Sequence, residues 1–323
     1  MAILKKPNPE IWKGRKSDQQ LYLHEKVAFE AIASNVENTM AILGYACDEG
    51  VKRNQGRKGA LSGPDAIRTQ LAKMPNHLDA EMKFVDHGTI ECGNGDMEAA
   101  QNLLKHEVSL LLAHKVFPIL IGGGHEIAYG HYNGISKYIG TNETIGIINF
   151  DAHFDLRTNE NGNNSGTPFF QIAEDCKENG SSFNYLCLGI RKDANNKNLF
   201  ETAHELNVDY LENNKFSMDH AKSIVRKVLD FIQKVDHIYV TIDLDGFSSA
   251  YAPGVSAPSP MGFTPTIVLE TLEVLMKSNK LISIDIAEMN PKYDIDNQTA
   301  KLAASLIHHI MHSIAPIYSN QDW

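Results

Sequence analysis

The chain has 323 residues, 42% of them hydrophobic, enough for a sizeable buried core. Its charged fraction is 22% and its formal net charge −10, with no basic stripe, which argues against a nucleic-acid surface and speaks mainly for solubility. Cys47, Cys92, Cys176 and Cys187 form no C-x-x-C pair and read as buried thiols in a reducing compartment. The start, Met1-Ala-Ile-Leu-Lys-Lys, lacks a signal-peptide core and no apolar run reaches membrane-spanning length, so a cytoplasmic protein without a membrane partner is expected.

Taken in chain order, residues 1–40 are polar and mixed, with a helical pattern over 20–40, and are expected to form a helical extension packed on the rest. Short apolar runs rich in Ile, Val and Leu then predict strands over 41–46, 83–89, 117–122, 144–150, 185–190, 237–244 and 281–286. Helices are predicted over 64–71, where Pro64 takes a first-turn position, and over 97–114, where apolar residues recur every three or four. Two more are predicted over 217–233 and 264–276, with Ser217 and Thr264 as N-caps. Strand–helix alternation with nearly continuous apolar strands predicts an α/β fold with a mostly parallel sheet covered on both faces. No repeat or linker divides 41–323, which reads as one domain.

Three segments carry the chemistry, each where a strand should end: Phe117-Pro-Ile-Leu-Ile-Gly-Gly-Gly-His125-Glu126, Ile145-Gly-Ile-Ile-Asn-Phe-Asp151-Ala-His153-Phe-Asp155, and Ile238-Tyr-Val-Thr-Ile-Asp243-Leu-Asp245. Ligand sites of open α/β sheets lie beyond the carboxyl ends of the strands. Residues two apart in extended chain point the same way, so Asp151, His153 and Asp155 can converge, as can Asp243 and Asp245, with His125 arriving from a third strand. Four carboxylates so close together repel one another and raise each other's pKa. Two divalent cations cancel that charge, and oxygen and imidazole donors without thiolate suit Mn²⁺, with Fe²⁺, Co²⁺ or Zn²⁺ as alternatives. Two ions sharing a water lower its pKa and generate a hydroxide, so metal-assisted hydrolysis is the expected reaction class, with Asp151 or Asp243 carrying the proton.

Gly-Gly-Gly-His125, Asp151-Ala-His153-Phe-Asp155, Asp243-Leu-Asp245, Ala252-Pro-Gly-Val and Glu288-Met-Asn-Pro291 together resemble the ureohydrolase family of arginase and agmatinase, from about Gly44 onward. The resemblance implies a three-layer α/β/α fold. It also implies a binuclear manganese centre on His125, Asp151, His153, Asp155, Asp243 and Asp245, with Asp151 and Asp243 bridging, and a homo-oligomer. Glu288 matches the family glutamate that holds the planar amidinium carbon, a task suited to a carboxylate because it pairs with two N–H donors at once.

The sequence departs from arginase where a shuttle histidine would stand in the loop after Asp155: the matching position is Ser165. Arginase acids that meet a free substrate ammonium fall here in Ile190-Arg191-Lys192-Asp193, with one acid, Asp193. Arg57, in the glycine-rich Asn54-Gln-Gly-Arg57 loop, together with Arg157 and Arg191, could meet substrate carboxylates. These features resemble the branch of the family that cleaves N-formimidoyl-L-glutamate to L-glutamate and formamide; the alternative is an agmatinase or another guanidino-acid hydrolase releasing urea.

Overall fold

The computed structural model describes residues 1–30, 32 and 37–318. Nine strands run in chain order: β1 Ile3–Lys5, β2 Thr39–Ala46, β3 Lys83–Glu91, β4 Val116–Ile121, β5 Ile145–Phe150, β6 Asn184–Ile190, β7 Asp209–Glu212, β8 His237–Asp243 and β9 Leu281–Ala287. They form one sheet in the order β1-β3-β2-β4-β9-β8-β5-β6-β7, parallel throughout except for the antiparallel β1–β3 pair.

The strands are apolar on both faces, and successive side chains divide between two cores. Met40, Ile42, Phe117, Ile119, Ile148, Phe150, Val240 and Ile242 face helices Gly63–Leu71, Ala221–Ile232, Pro265–Met276 and Gln298–Tyr318. Ala41, Leu43, Leu120, Ile147, Tyr185 and Tyr239 face helices Met97–Ala113, Ile127–Ile139, Pro168–Asn179 and Lys197–Glu205. This is the three-layer α/β/α arrangement expected from the alternation of elements. No helix of the described residues is long and apolar enough to cross a membrane.

All seven expected strands are present, within two residues of their expected ends. β1 and β7 escaped the apolar pattern: they are the short, half-polar strands at the two edges. The helix expected over 20–40 is a correction. Among the described residues of that span, only Leu23–Lys26 is helical. Ala28 already forms a bridge to Val85, and Thr39 and Met40 belong to β2. Ala31 and 33–36 lie outside the described residues. The expected caps also differ. Neither Ser217 nor Thr264 makes a side-chain capping bond, and a short 3-10 turn, Met218–His220, precedes the helix at Ala221.

β4, β9, β8 and β5 are consecutive in the sheet, and their carboxyl ends open on one side. His125 follows β4, Asp151 follows β5, Asp243 ends β8 and Glu288 follows β9. The sheet order therefore gathers four segments that are far apart in sequence.

Candidate active site

The β4 end must turn sharply to bring His125 inward. Gly122 and Gly123 have φ of +88° and +74°. A Cβ on Gly123 would come within 2.5 Å of the Tyr45 ring and 2.8 Å of the Tyr45 carbonyl oxygen. Two other site residues, Asp155 and Glu288, adopt left-handed φ of +48° and +66° without being glycine. Such strain persists only where the surroundings over-determine it, and it clusters at functional sites.

The six expected ligands come together in two groups. In the first, His125 Nδ1 lies 3.0 Å from Asp155 Oδ2 and 3.1 Å from both Asp151 Oδ2 and Asp243 Oδ2. In the second, His153 Nδ1 lies 3.4 Å from Asp151 Oδ1 and 3.2 Å from Asp245 Oδ1. Asp151 belongs to both groups, one oxygen to each. Asp243 stands in the first group only, and its other oxygen accepts the Asp245 N–H at 2.8 Å.

The donor set fits divalent cations on the structure's own terms. His125 Nδ1 and Asp245 Oδ1 are buried and have no hydrogen-bond partner among the described residues. Buried polar atoms are almost always satisfied, so one such leftover atom in each ligand group, among the other donors of its group, marks a place for a cation. With protons as the only countercharge, the site is strongly perturbed. Burial, then Asp245 and Asp151, push the Asp243 carboxyl well up. Burial pushes the His125 imidazole down, but bonds from Asp151, Asp155 and Asp243 outweigh it and lift the ring well above its usual value.

A second layer holds the ligands still. The Asp151 carboxylate accepts the His153 N–H at 2.7 Å and the Asn149 amide at 3.0 Å. Asn195 accepts the Phe154 N–H at 3.0 Å and donates to the Ala152 and Arg191 carbonyls at 2.8 Å, tying down the Asp151–Asp155 turn. His125 Nε2 meets Thr241 Oγ1 at 2.9 Å. Asn149 alternates with Asp151, His153 and Asp155, and Thr241 with Asp243 and Asp245, the pattern that could have exposed both; Asn195 stands at no telling spacing.

Four of the ligands, His153, Asp155, Asp243 and Asp245, floor a cleft of about 330 Å³, also lined by Asn54, Arg57, Arg157, Ser165, Asn195 and Glu288. Glu288 Oε1 accepts the His125 N–H at 3.1 Å, while Oε2 is buried and free of partners among the described residues. Burial, then Asp245 and Glu126, raise its pKa well above the usual value. Arg57 is braced: its Nε and Nη2 donate to the Ser256 and Val255 carbonyls at 2.9 and 2.6 Å, and its guanidinium lies 4.0 Å from the Tyr293 ring centre. Ser165 is buried and accepts from Asn54 at 3.2 Å. Arg157 is exposed at the rim, its backbone N–H bonded to the Gly166 carbonyl. Arg191 differs from the other expected cations: it makes a two-point ion pair with Asp193 at 2.6 and 3.0 Å and is not among the cleft's lining residues. A larger cavity of about 580 Å³ beside β1, Cys47 and Arg68 does not reach the ligands.

Comparison with known proteins agrees with this geometry. The arginase family model matches residues 38–313, and the chain belongs to that family. It is a hydrolase acting on a C–N bond. Its curated relatives include the formimidoylglutamase of Aeromonas salmonicida, 42% identical over 93% of this chain and 96% of that protein. The formimidoylglutamase of Clostridium tetani is 38% identical over 98% of each. The solved formimidoylglutamase of Bacillus subtilis shares the fold at a TM-score of 0.81 and 23% identity, over 93% of this chain and 94% of that one. The Bacillus subtilis arginase aligns at 0.72 and 26% identity, over 84% and 98%.

Proposed function

We propose that the chain hydrolyses N-formimidoyl-L-glutamate to L-glutamate and formamide, using two manganese ions held by His125, Asp151, His153, Asp155, Asp243 and Asp245. The observation that carries the reading is the cleft itself: Glu288, with one buried carboxylate oxygen unpartnered among the described residues, lines the same space as residues of both ligand groups, with Arg57 and Arg157. Formimidoylglutamase relatives of nearly full length support the substrate, and a solved Trypanosoma cruzi formiminoglutamase of the same fold, TM-score 0.79, is described with Mn²⁺.

Manganese, when bound, supplies Lewis acidity and an acidified water nucleophile. The protein does the rest. Glu288 Oε2 accepts from the amidine N–H groups and presents the planar carbon face-on, its other oxygen already fixed by the His125 N–H. Arg57 and Arg157 meet the two substrate carboxylates, and Ser165 completes the wall by hydrogen bonding. Asp151, shared between the ligand groups, takes the proton released as water oxygen bonds to the formimidoyl carbon. The bond from that carbon to the glutamate nitrogen breaks, and the departing nitrogen receives the proton. Residues 41–323 act as one catalytic domain.

A product assay decides the matter. Purified protein loaded with Mn²⁺ should release formamide from N-formimidoyl-L-glutamate faster than urea from agmatine or arginine. Faster urea release would overturn the substrate assignment in favour of a guanidino-acid hydrolase.

A further inference from the structure

Beneath the His125 ligand group lies a buried polar cluster that the reaction does not use. Asp285 on β9 and His131 on helix Ile127–Ile139 are fully buried, as are Ser283, Thr241 and Tyr239. A carboxylate so deep is costly unless its charge and lone pairs are matched. Here Asp285 Oδ2 meets His131 Nδ1 at 2.5 Å and accepts from the Tyr239 hydroxyl, and Oδ1 accepts from the Thr241 hydroxyl at 2.6 Å.

We propose that Asp285 is a positioning residue for the metal centre: acting through Thr241, it decides which nitrogen of His125 carries the proton. The inference rests on the two-ion reading above. It follows from counting protons. Ser283 donates its hydroxyl proton to the Pro118 carbonyl at 3.0 Å, so its oxygen accepts from His131 Nε2–H at 2.6 Å. The close Nδ1···Oδ2 approach and the Tyr239 hydroxyl occupy Oδ2 of Asp285. Asp285 Oδ1 then takes the hydroxyl proton of Thr241. Thr241 can only accept from His125, which must donate through Nε2, 2.9 Å away. Nδ1, 3.0–3.1 Å from the three carboxylate oxygens, is then the nitrogen left to serve a cation as ligand. Without the Asp285 acceptor the hydroxyl can turn and donate to His125 Nε2, which moves the proton to Nδ1 and removes a ligand.

The test titrates metal-stripped, full-length enzyme with Mn²⁺ by calorimetry. Wild type takes two ions. Asp285→Leu and Thr241→Val should each weaken one ion by about 10–100-fold and leave the other unchanged. Thr241→Ser and Asp285→Asn keep the hydroxyl and its acceptor and should stay within a few-fold of wild type. The double variant should lose no more than Thr241→Val alone, because both act on one chain of bonds. Additive losses, or equal weakening of both ions, would overturn the proposal. Asp285→Ala gives the same reading should the leucine variant not fold. Wild type taking fewer than two ions would instead defeat the two-ion reading.

Discussion

Glu288→Gln changes one atom of the cleft. Glutamine keeps an oxygen for the His125 N–H, now at 3.1 Å, and puts an amide nitrogen in place of the unpartnered Oε2, the atom proposed to hold the amidine. An amidine N–H that met an acceptor now meets a donor. One lost charge-assisted hydrogen bond is worth about 1.5–3 kcal/mol, and one buried donor left unpaired about 1–3 kcal/mol. The sum, about 2.5–6 kcal/mol, corresponds to roughly 10²–10⁴-fold in kcat/KM. The variant should keep both metal ions, since Glu288 belongs to neither ligand group. Burial pushes the Glu288 carboxyl well up, so losing the charge should not lower the melting temperature at pH 8. Steady-state kinetics on N-formimidoyl-L-glutamate, with metal content from elemental analysis, checks this. A fall of less than tenfold in kcat/KM would refute the role given to Oε2.

Asp155→Ala deletes a carboxylate of the His125 group and should leave one tightly held ion and almost no turnover; two retained ions by elemental analysis would contradict the ligand assignment. Arg157→Ala should raise KM about tenfold or more with kcat little changed, and an unchanged KM removes Arg157 from substrate binding. Glu126 is buried and has one oxygen without a partner among the described residues; burial, then Cys47, raise its pKa well above 4.5. A raised folded pKa means stability present below the unfolded value is lost as pH climbs from 4.5 toward the folded pKa. Glu126→Gln should therefore be more stable than wild type in urea at pH 8, with the gap closing toward pH 4; a gap independent of pH would count against it. Gly123→Ala should destabilise by about 1–2 kcal/mol from backbone strain alone, with further loss from the Tyr45 contact, read as an earlier urea midpoint.

The ligands could be read from sequence because strand geometry is local: Asp151, His153 and Asp155 share a direction whatever surrounds them. The same holds for the seven inner strands, whose faces are both apolar. Helix Ile127–Ile139 was harder, because Gly130 and Gly134 interrupt its pattern. Those glycines face helix Met97–Ala113, where a Cβ on Gly134 would reach Val108 at 2.6 Å. Asp285, His131 and Tyr239 form a cluster only because β8, β9 and that helix pack together, and nothing in their spacing announces it. Arg191 shows why a cation's role is hard to read from sequence. A cation at a strand end can meet substrate or a neighbouring acid, and Asp193 stands two residues away.

The edge strands have a consequence for how copies of this protein can meet. β1 offers three residues with Lys5 paired to Glu91, and β7 offers four half-buried ones. An open parallel sheet invites a neighbour's strand to continue it, and short, charged borders are how natural proteins refuse the invitation. Each border strand is too short to template a long ladder. Both borders thus disfavour continuation of the sheet by strand addition from another chain.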